Sequence, residues 1–273
     1  MDSRTTNGLI EVNGTRLYHE VRGSGPSVLF VQGALGDGGT YERVAELLAD
    51  EFTVVTYDRR ANSRSLRPEG WESTSAEEQS DDAAALIEAL DIAPAAVFGN
   101  SGGAIIALDF VIRHPNLLRG AILHEPAMFS VLSHPEEVMG PLQQAIEKGM
   151  RQGGPRGGGE AFLRFFAGDE AFETLDPRLR ERMLGNAEIF FGLEFGAIGP
   201  YRPNEASLAA AAAVPVRVMA GSESPAPLVE ASRWLATHLN VELTTLPGGH
   251  TPYFDRPEEM VKAIRPFLRQ VSR

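Results

Sequence analysis

Between residues 27 and 123, four short runs of apolar, largely β-branched or aromatic residues recur, at 27–31 (SVLFV), 53–57 (TVVTY), 95–98 (AAVF) and 120–123 (GAIL). Each is separated from the next by enough chain for a helix. No other feature narrows the possible folds as much. A strand with one wet face alternates apolar and polar residues, whereas these runs are continuous, as strands covered on both faces are. The spacing is what parallel pairing through crossover helices needs. The intervening chain reads as helices at 41–49, at 76–90, where Leu86, Ile87 and Leu90 share one face, and at 103–113, apolar nearly all round and so expected to be buried. Two earlier runs, 9–12 and 16–21, look like an antiparallel pair.

After Pro126 the alternation lapses. Residues 127–213 contain no convincing strand; a glycine-rich break at 153–159 is followed by helical segments at 160–166 and 177–188. The pattern resumes with a strand at 216–220, a helix at 228–239, a strand at 241–246 and a closing helix at 257–269. The simplest organisation is a split α/β core domain, 1–126 and 214–273, with a helical cap at 127–213. The rings Phe190, Phe191, Phe195 and Tyr201 in this cap read either as its core or as a lid presenting rings to an apolar ligand.

Composition removes several function classes. The 273 residues suit one large domain, and 25 Lys plus Arg against 37 Asp plus Glu leave a net charge of −12, which repels nucleic-acid backbones and anionic membranes. With no cysteine there is no disulfide, thiolate nucleophile or Cys-type zinc site, and no His-x-His or H-E-x-x-H cluster occurs, so neither a metal nor a cofactor is expected. The N-terminal residues lack a secretory or transit pattern and no apolar stretch approaches the length of a membrane span, so a soluble, cytoplasmic monomer or homodimer is expected.

Gly99-Asn100-Ser101-Gly102-Gly103 is the chain's single G-x-S-x-G, placed where a strand ends and the most apolar helix begins. A serine there occupies a very tight turn, and flanking glycines let strand and helix approach. A glycine-rich phosphate cradle is the alternative, but no Lys or Arg follows and no dinucleotide fingerprint is present. A serine hydroxyl needs a base to become nucleophilic. Of six histidines, His19, His114, His134 and His238 fall in a hairpin, at helix ends or in the insertion. His124 adjoins Glu125 at a strand end, where alternation sends the two side chains to opposite faces. His250 alone sits in a loop leaving the last strand, Leu246-Pro247-Gly248-Gly249-His250-Thr251-Pro252-Tyr253, at the sheet edge that carries Ser101.

The imidazole in turn needs a carboxylate to fix its tautomer. Glu125, directly after the strand at 120–123, and Glu223, in Gly221-Ser222-Glu223-Ser224-Pro225, both qualify by position. Spacing does not separate them; Glu125 is preferred because Glu223, before a proline-rich helix start, fits a cap equally well. Two backbone amides must receive the negative charge of a tetrahedral intermediate, each contributing about 3 kcal/mol. Gly102, at a helix N-terminus, and Ala34, in the glycine-rich turn Gln32-Gly33-Ala34-Leu35-Gly36, are the candidates.

These motifs resemble the α/β-hydrolase superfamily over residues 9–268. The resemblance implies an eight-stranded, mostly parallel sheet with its second strand antiparallel, helices on both faces, and a lid inserted after strand six. The run Tyr57-Asp58-Arg59-Arg60-Ala61-Asn62-Ser63-Arg64-Ser65 is similar to the family's D-x-R-G-x-G-x-S loop, with Ala61 for a glycine. Most members carry an aspartate after strand seven where this chain has Ser224; a subset places the acid after strand six, which implies Glu125. His124-Glu125 and the closing L-P-G-x-H-x-P-Y run are similar to those of the zearalenone lactonases, while Gln32-Gly33 stands for their Pro-Asp, and Asn100 and Gly102 also differ. The resemblance therefore implies a cofactor-free esterase or lactonase for a small apolar ester or lactone, with Ser101, His250 and Glu125 as triad. Leu35, Phe190, Phe191, Phe195, Tyr201 and Tyr253 are then expected on the substrate side. Two rivals share the fold: a cofactor-free haloperoxidase or perhydrolase, and a non-catalytic small-molecule receptor.

Overall fold

The computed structural model describes residues 5–273. Its strands are β1 (Thr6–Val12), β2 (Thr15–Arg22), β3 (Ser27–Val31), β4 (Thr53–Tyr57), β5 (Ala95–Asn100), β6 (Leu118–His124), β7 (Val216–Gly221) and β8 (Leu243–Leu246). They form one sheet in the order β1-β2-β4-β3-β5-β6-β7-β8. β2 is antiparallel to both neighbours and every other pairing is parallel. The expected eight-stranded α/β sheet with its antiparallel second strand is therefore present. Because β3 lies between β4 and β5, the loops leaving β3 and β5 diverge to opposite sides, and a crevice opens between them at the carboxyl edge.

Period-two alternation sends successive residues of each strand to opposite faces. Val28, Phe30, Val54, Phe98 and Ile122 pack with α1 (Glu42–Leu48) and α12 (Pro257–Val271). Leu29, Val31, Val55, Val97 and Leu123 pack with α2 (Ala76–Ala89), α3 (Gly102–Arg113) and, across the carboxyl half, α10 (Ala226–His238). The continuous apolar runs thus have a structural cause: both faces are covered.

Between β6 and β7 the chain forms helices and no strand: α4 (Glu136–Ala167), α5 (Asp169–Thr174), α6 (Pro177–Gly185), α7 (Ala187–Ile189), a π-helical turn (Phe190–Glu194), α8 (Phe195–Ile198) and α9 (Glu205–Ala211). The glycine-rich stretch differs from expectation. Only Gly153 and Gly154 leave helical geometry, and α4 folds back on itself there. Gly149 and Gly157 then meet backbone to backbone: a Cβ on Gly149 would lie 2.2 Å from the Gly157 carbonyl oxygen. The glycines read as a break thus include a close crossing of two helical arms.

The insertion is fastened to the loop after β3. Arg182 of α6 pairs with buried Asp37, and Asn186 donates to the Leu35 carbonyl at 2.8 Å while accepting from the Ser63 amide at 2.7 Å. α11 (Pro252–Asp255) follows β8 and leads into α12. No helix among the described residues is long and apolar enough to cross a membrane.

Candidate active site

The turn after β5 is set by close approach. A Cβ on Gly99 would lie 2.3 Å from the Gly103 carbonyl oxygen, and one on Gly103 would lie 2.2 Å from that of Val31. Glycine at both positions lets α3 start directly above the sheet, and Ser101 between them is held at φ 57, ψ −123. Such a conformation costs about 1–3 kcal/mol and persists only when its surroundings enforce it. Here the Ser101 amide donates to the His124 carbonyl at 3.0 Å, and the Ser101 carbonyl accepts from the amides of Ala104, Ile105 and Ala127.

β6 ends beside this turn, with His124 in register with Asn100. Glu125 adopts φ 48, so strand alternation stops before it. This corrects the expectation that His124 and Glu125 diverge: His124 Nε2 lies 3.8 Å from Glu125 Oε1, and both side chains are fully buried. The Glu125 carboxylate accepts from the Gly221 amide at 2.6 Å through Oε1 and from His250 Nδ1 at 2.6 Å through Oε2. Burial alone would raise its pKa, but the hydrogen bond from His250 and the adjacent imidazoles hold it at about 2. Glu125 is thus an anion across the physiological range.

His124 is stacked between the rings of Phe98 and His250. The Tyr253 hydroxyl donates to Asn100 Oδ1 at 3.0 Å, which leaves Asn100 Nδ2 as the donor to His124 Nδ1 at 2.9 Å and to the His250 carbonyl at 3.2 Å. We therefore assign the His124 proton to Nε2, facing Glu125. Burial lowers the His124 pKa to about 4, so this imidazole is neutral at pH 7.

Two spaces meet at Ser101. The larger, about 400 Å³, is bordered by Ala34, Gly102, Ile105 and Ile106 from the core and by Phe129, Phe162, Phe166, Phe190 and Phe195 from the insertion. Among the described residues, its only polar side chains are Ser101, Ser130, Arg59 and Glu194. The smaller, about 40 Å³, is bordered by Ser101, His250, Asn100, Phe166 and Tyr253. His250 borders only the smaller one. The amides of Ala34 and Gly102 lie close to one another, a Cβ on Gly102 falling 3.9 Å from the Ala34 nitrogen, and neither has an acceptor among the described residues.

The residues expected at the site fall into two groups. Ser101, His250, Glu125, Ala34 and Gly102 lie together, and Phe190 and Phe195 line the large cavity. Glu223 instead makes a two-point surface pair with Arg256, at 2.8 and 3.0 Å. Tyr201 is turned away to Asp109, 3.1 Å from its hydroxyl. Leu35, at φ 63, is buried in the core of the insertion, and Phe191 packs on Phe190 and Phe195 without reaching the cavity. Tyr253 sits beneath the small space, against Tyr41 and Asn100. Sequence reading missed Arg59 and Glu194, which form a fully buried two-point ion pair at 2.6 and 2.8 Å. The available signal was a lone acid within the aromatic run 190–201.

An imidazole backed by a carboxylate, a serine on a strained turn and two free amides can together carry out acyl transfer. The sheet order, with one antiparallel strand and a serine at its topological switch point, is that of the α/β hydrolases as a class. The profile of the alpha/beta hydrolase family matches residues 28–263, and the chain belongs to that family. It is 35% identical over 270 residues to the uncharacterized hydrolase YraK of Bacillus subtilis, covering 97% of this chain and 96% of that one. It is also 26% identical to a zearalenone hydrolase of Bionectria ochroleuca, covering 96% and 97% of the two chains. Among solved structures, a thermophilic esterase from Thermogutta terrifontis superposes with a TM-score of 0.78 at 24% identity, over 98% of this chain and 100% of that one.

Proposed function

We propose that the protein is a serine hydrolase that cleaves a carboxylic ester or lactone through an acyl-enzyme, with Ser101 as nucleophile, His250 as general base and Glu125 as the acid behind it. The observation that carries this reading is the buried His250 Nδ1 to Glu125 Oε2 contact of 2.6 Å, next to a space that His250 shares with Ser101. With Nδ1–H committed to an anion, Nε2 is left as the proton acceptor. As Ser101 Oγ bonds to the carbonyl carbon, its proton passes to Nε2, and the carbonyl oxygen takes the negative charge between the Ala34 and Gly102 amides. The bond to the alcohol oxygen then breaks as that oxygen takes the proton from His250. Water repeats the sequence on the acyl-enzyme, releasing the acid and regenerating Ser101. The helical segment 127–213 serves as the lid over this site.

Substrate shape follows from the two spaces. The leaving alcohol must reach His250, which borders the 40 Å³ space, whereas the acyl part extends into the apolar 400 Å³ cavity. The favoured substrate is an ester of a bulky apolar acid with a small alcohol. A macrolactone is the second reading, supported by the similarity to the zearalenone hydrolase.

The test is a panel of methyl esters of bulky aromatic acids, long-alkyl acetates and zearalenone. The methyl esters are expected to exceed the acetates in kcat/KM by about tenfold or more. Ser101→Ala should abolish turnover, Glu125→Gln should lower kcat by about 10⁴ through the imidazole tautomer, and Glu223→Gln should leave kcat unchanged. Full activity in Ser101→Ala would end the serine mechanism, and a loss in Glu223→Gln alone would move the acid to the turn after β7.

A further inference from the structure

Ala34 lies between two carbonyls that are each tied to another part of the molecule. The Leu35 carbonyl accepts from Asn186 Nδ2 of the insertion at 2.8 Å. The Gly33 carbonyl accepts from Arg59 Nη2 at 3.3 Å, and the same guanidinium grips Glu194 of the π-helical turn at two points. Glu194 is also held by Asn62 Nδ2 at 2.8 Å.

The Gly33 carbonyl and the Ala34 amide belong to one peptide unit, and that peptide is trans. In a trans peptide the C=O and N–H vectors are antiparallel. Fixing the Gly33 oxygen on Arg59 therefore aims the Ala34 N–H the opposite way, away from Arg59, and the Gly102 turn lies next to that nitrogen. The peptide also abuts the serine, since a Cβ on Gly33 would lie 3.0 Å from Ser101 Cβ.

We propose that Arg59 and Glu194 are positioning residues for the oxyanion site: through the Gly33 carbonyl they set the plane of the peptide whose other end, the Ala34 amide, stabilises the transition state. The inference rests on the hydrolase reading above and extends it. Both side chains border the large cavity, but their charged ends are engaged with one another, with the Gly33 carbonyl and with Asn62. Both ends of the pair are about 2% exposed, so the link is not loosened by solvent. Glu194 comes from the insertion and Arg59 from the loop after β4, so seating the insertion and aiming the donor are one event. The guanidinium charge on the carbonyl side also polarises the peptide and makes its N–H a stronger donor.

Loss of one oxyanion donor costs about 10²–10³ in kcat, and a misaimed donor should cost part of that. The double variant Arg59→Met with Glu194→Leu removes both charges together, so that no unpaired charge is left buried. It is expected to lower kcat on a methyl ester by about ten- to a hundredfold with KM changed less than about threefold. Affinity for a trifluoromethyl ketone that forms a tetrahedral adduct should fall by the same factor as kcat. Arg59→Lys, which keeps the charge but has no fork to hold Glu194 and Gly33 together, provides a second measurement: the same split in smaller measure. Labelling of Ser101 by a fluorophosphonate in the wild type reports on the hydrolase reading separately, and its absence would sink both. Labelled, folded variants with wild-type kcat and unchanged ketone affinity would overturn the positioning role alone. A rise in KM with kcat intact would overturn it as well, by making the pair part of ground-state binding.

Discussion

A single residue, His124, links the site to the molecule's response to acid. It is neutral and wholly enclosed, with a pKa lowered to about 4 from an ordinary 6.5. The unfolded chain would take up a proton on this imidazole below pH 6.5, while the folded one resists until about pH 4. Stability is therefore full above pH 6.5 and is lost as pH falls through that window, by up to about 3 kcal/mol from this group. Glu125, depressed to about 2, works at a lower pH: its contribution is present above the ordinary carboxylate range and is lost progressively as pH falls from about 4.5 through about 2. Thermal unfolding of wild type and His124→Gln between pH 7 and pH 4 should show the wild-type midpoint falling more steeply. Parallel curves would remove His124 as the source. Sequence pointed to Ser101 and His250 by motif and loop, and preferred Glu125 to Glu223 although spacing did not separate them. What separates them is the φ 48 turn of Glu125 and the pairing of Glu223 with Arg256, neither of which spacing encodes.

At the scale of elements, the sheet was legible because burial on both faces writes continuous apolar runs, and the register of β3, β4, β5 and β6 follows them closely. The insertion was harder to read. Its long helix α4 lacks an apolar stripe that repeats cleanly, and it contains Pro141, Pro155 and the glycines of the crossing, residues that individually argue against a helix. Tertiary contact overrides that local preference: the arms of α4 meet at Gly149 and Gly157, and Phe162 packs on Phe166, Phe190 and Phe195. Gly149→Ala, which raises helix propensity locally, should nonetheless destabilise the protein by about 1–3 kcal/mol, because its methyl meets backbone. A urea titration reads this directly, and an unchanged or higher midpoint would mean that the arms do not touch there. The aromatic run 190–201 was legible as a group, yet its members divide: Phe190 and Phe195 face the cavity, while Phe191 and Tyr201 do not.

For the whole molecule the dominant long-range term is a net charge of −12. A field of that sign slows the approach of anionic substrates and is screened over about 10 Å at 0.1 M salt. For two esters of one acid, one with a neutral and one with an anionic alcohol, kcat/KM should rise with ionic strength only for the anionic one. Equal salt response would show that the surface charge does not reach the site mouth. On the proposed function, the apolar cavity points the same way, favouring uncharged acyl groups.

The acidic partner of His250 rides at the end of β6, beside the strand that bears the serine, and not beyond β7. On the proposed mechanism the bend at 222–224 supplies no acid, yet its amides hold the Leu246 and Gly248 carbonyls, at 2.8 and 2.9 Å, in the stretch that leads to His250. On that reading, descent is free to repaint the outward Glu223 side chain, which meets only Arg256, while the backbone beneath it stays bound to the stretch that delivers the imidazole.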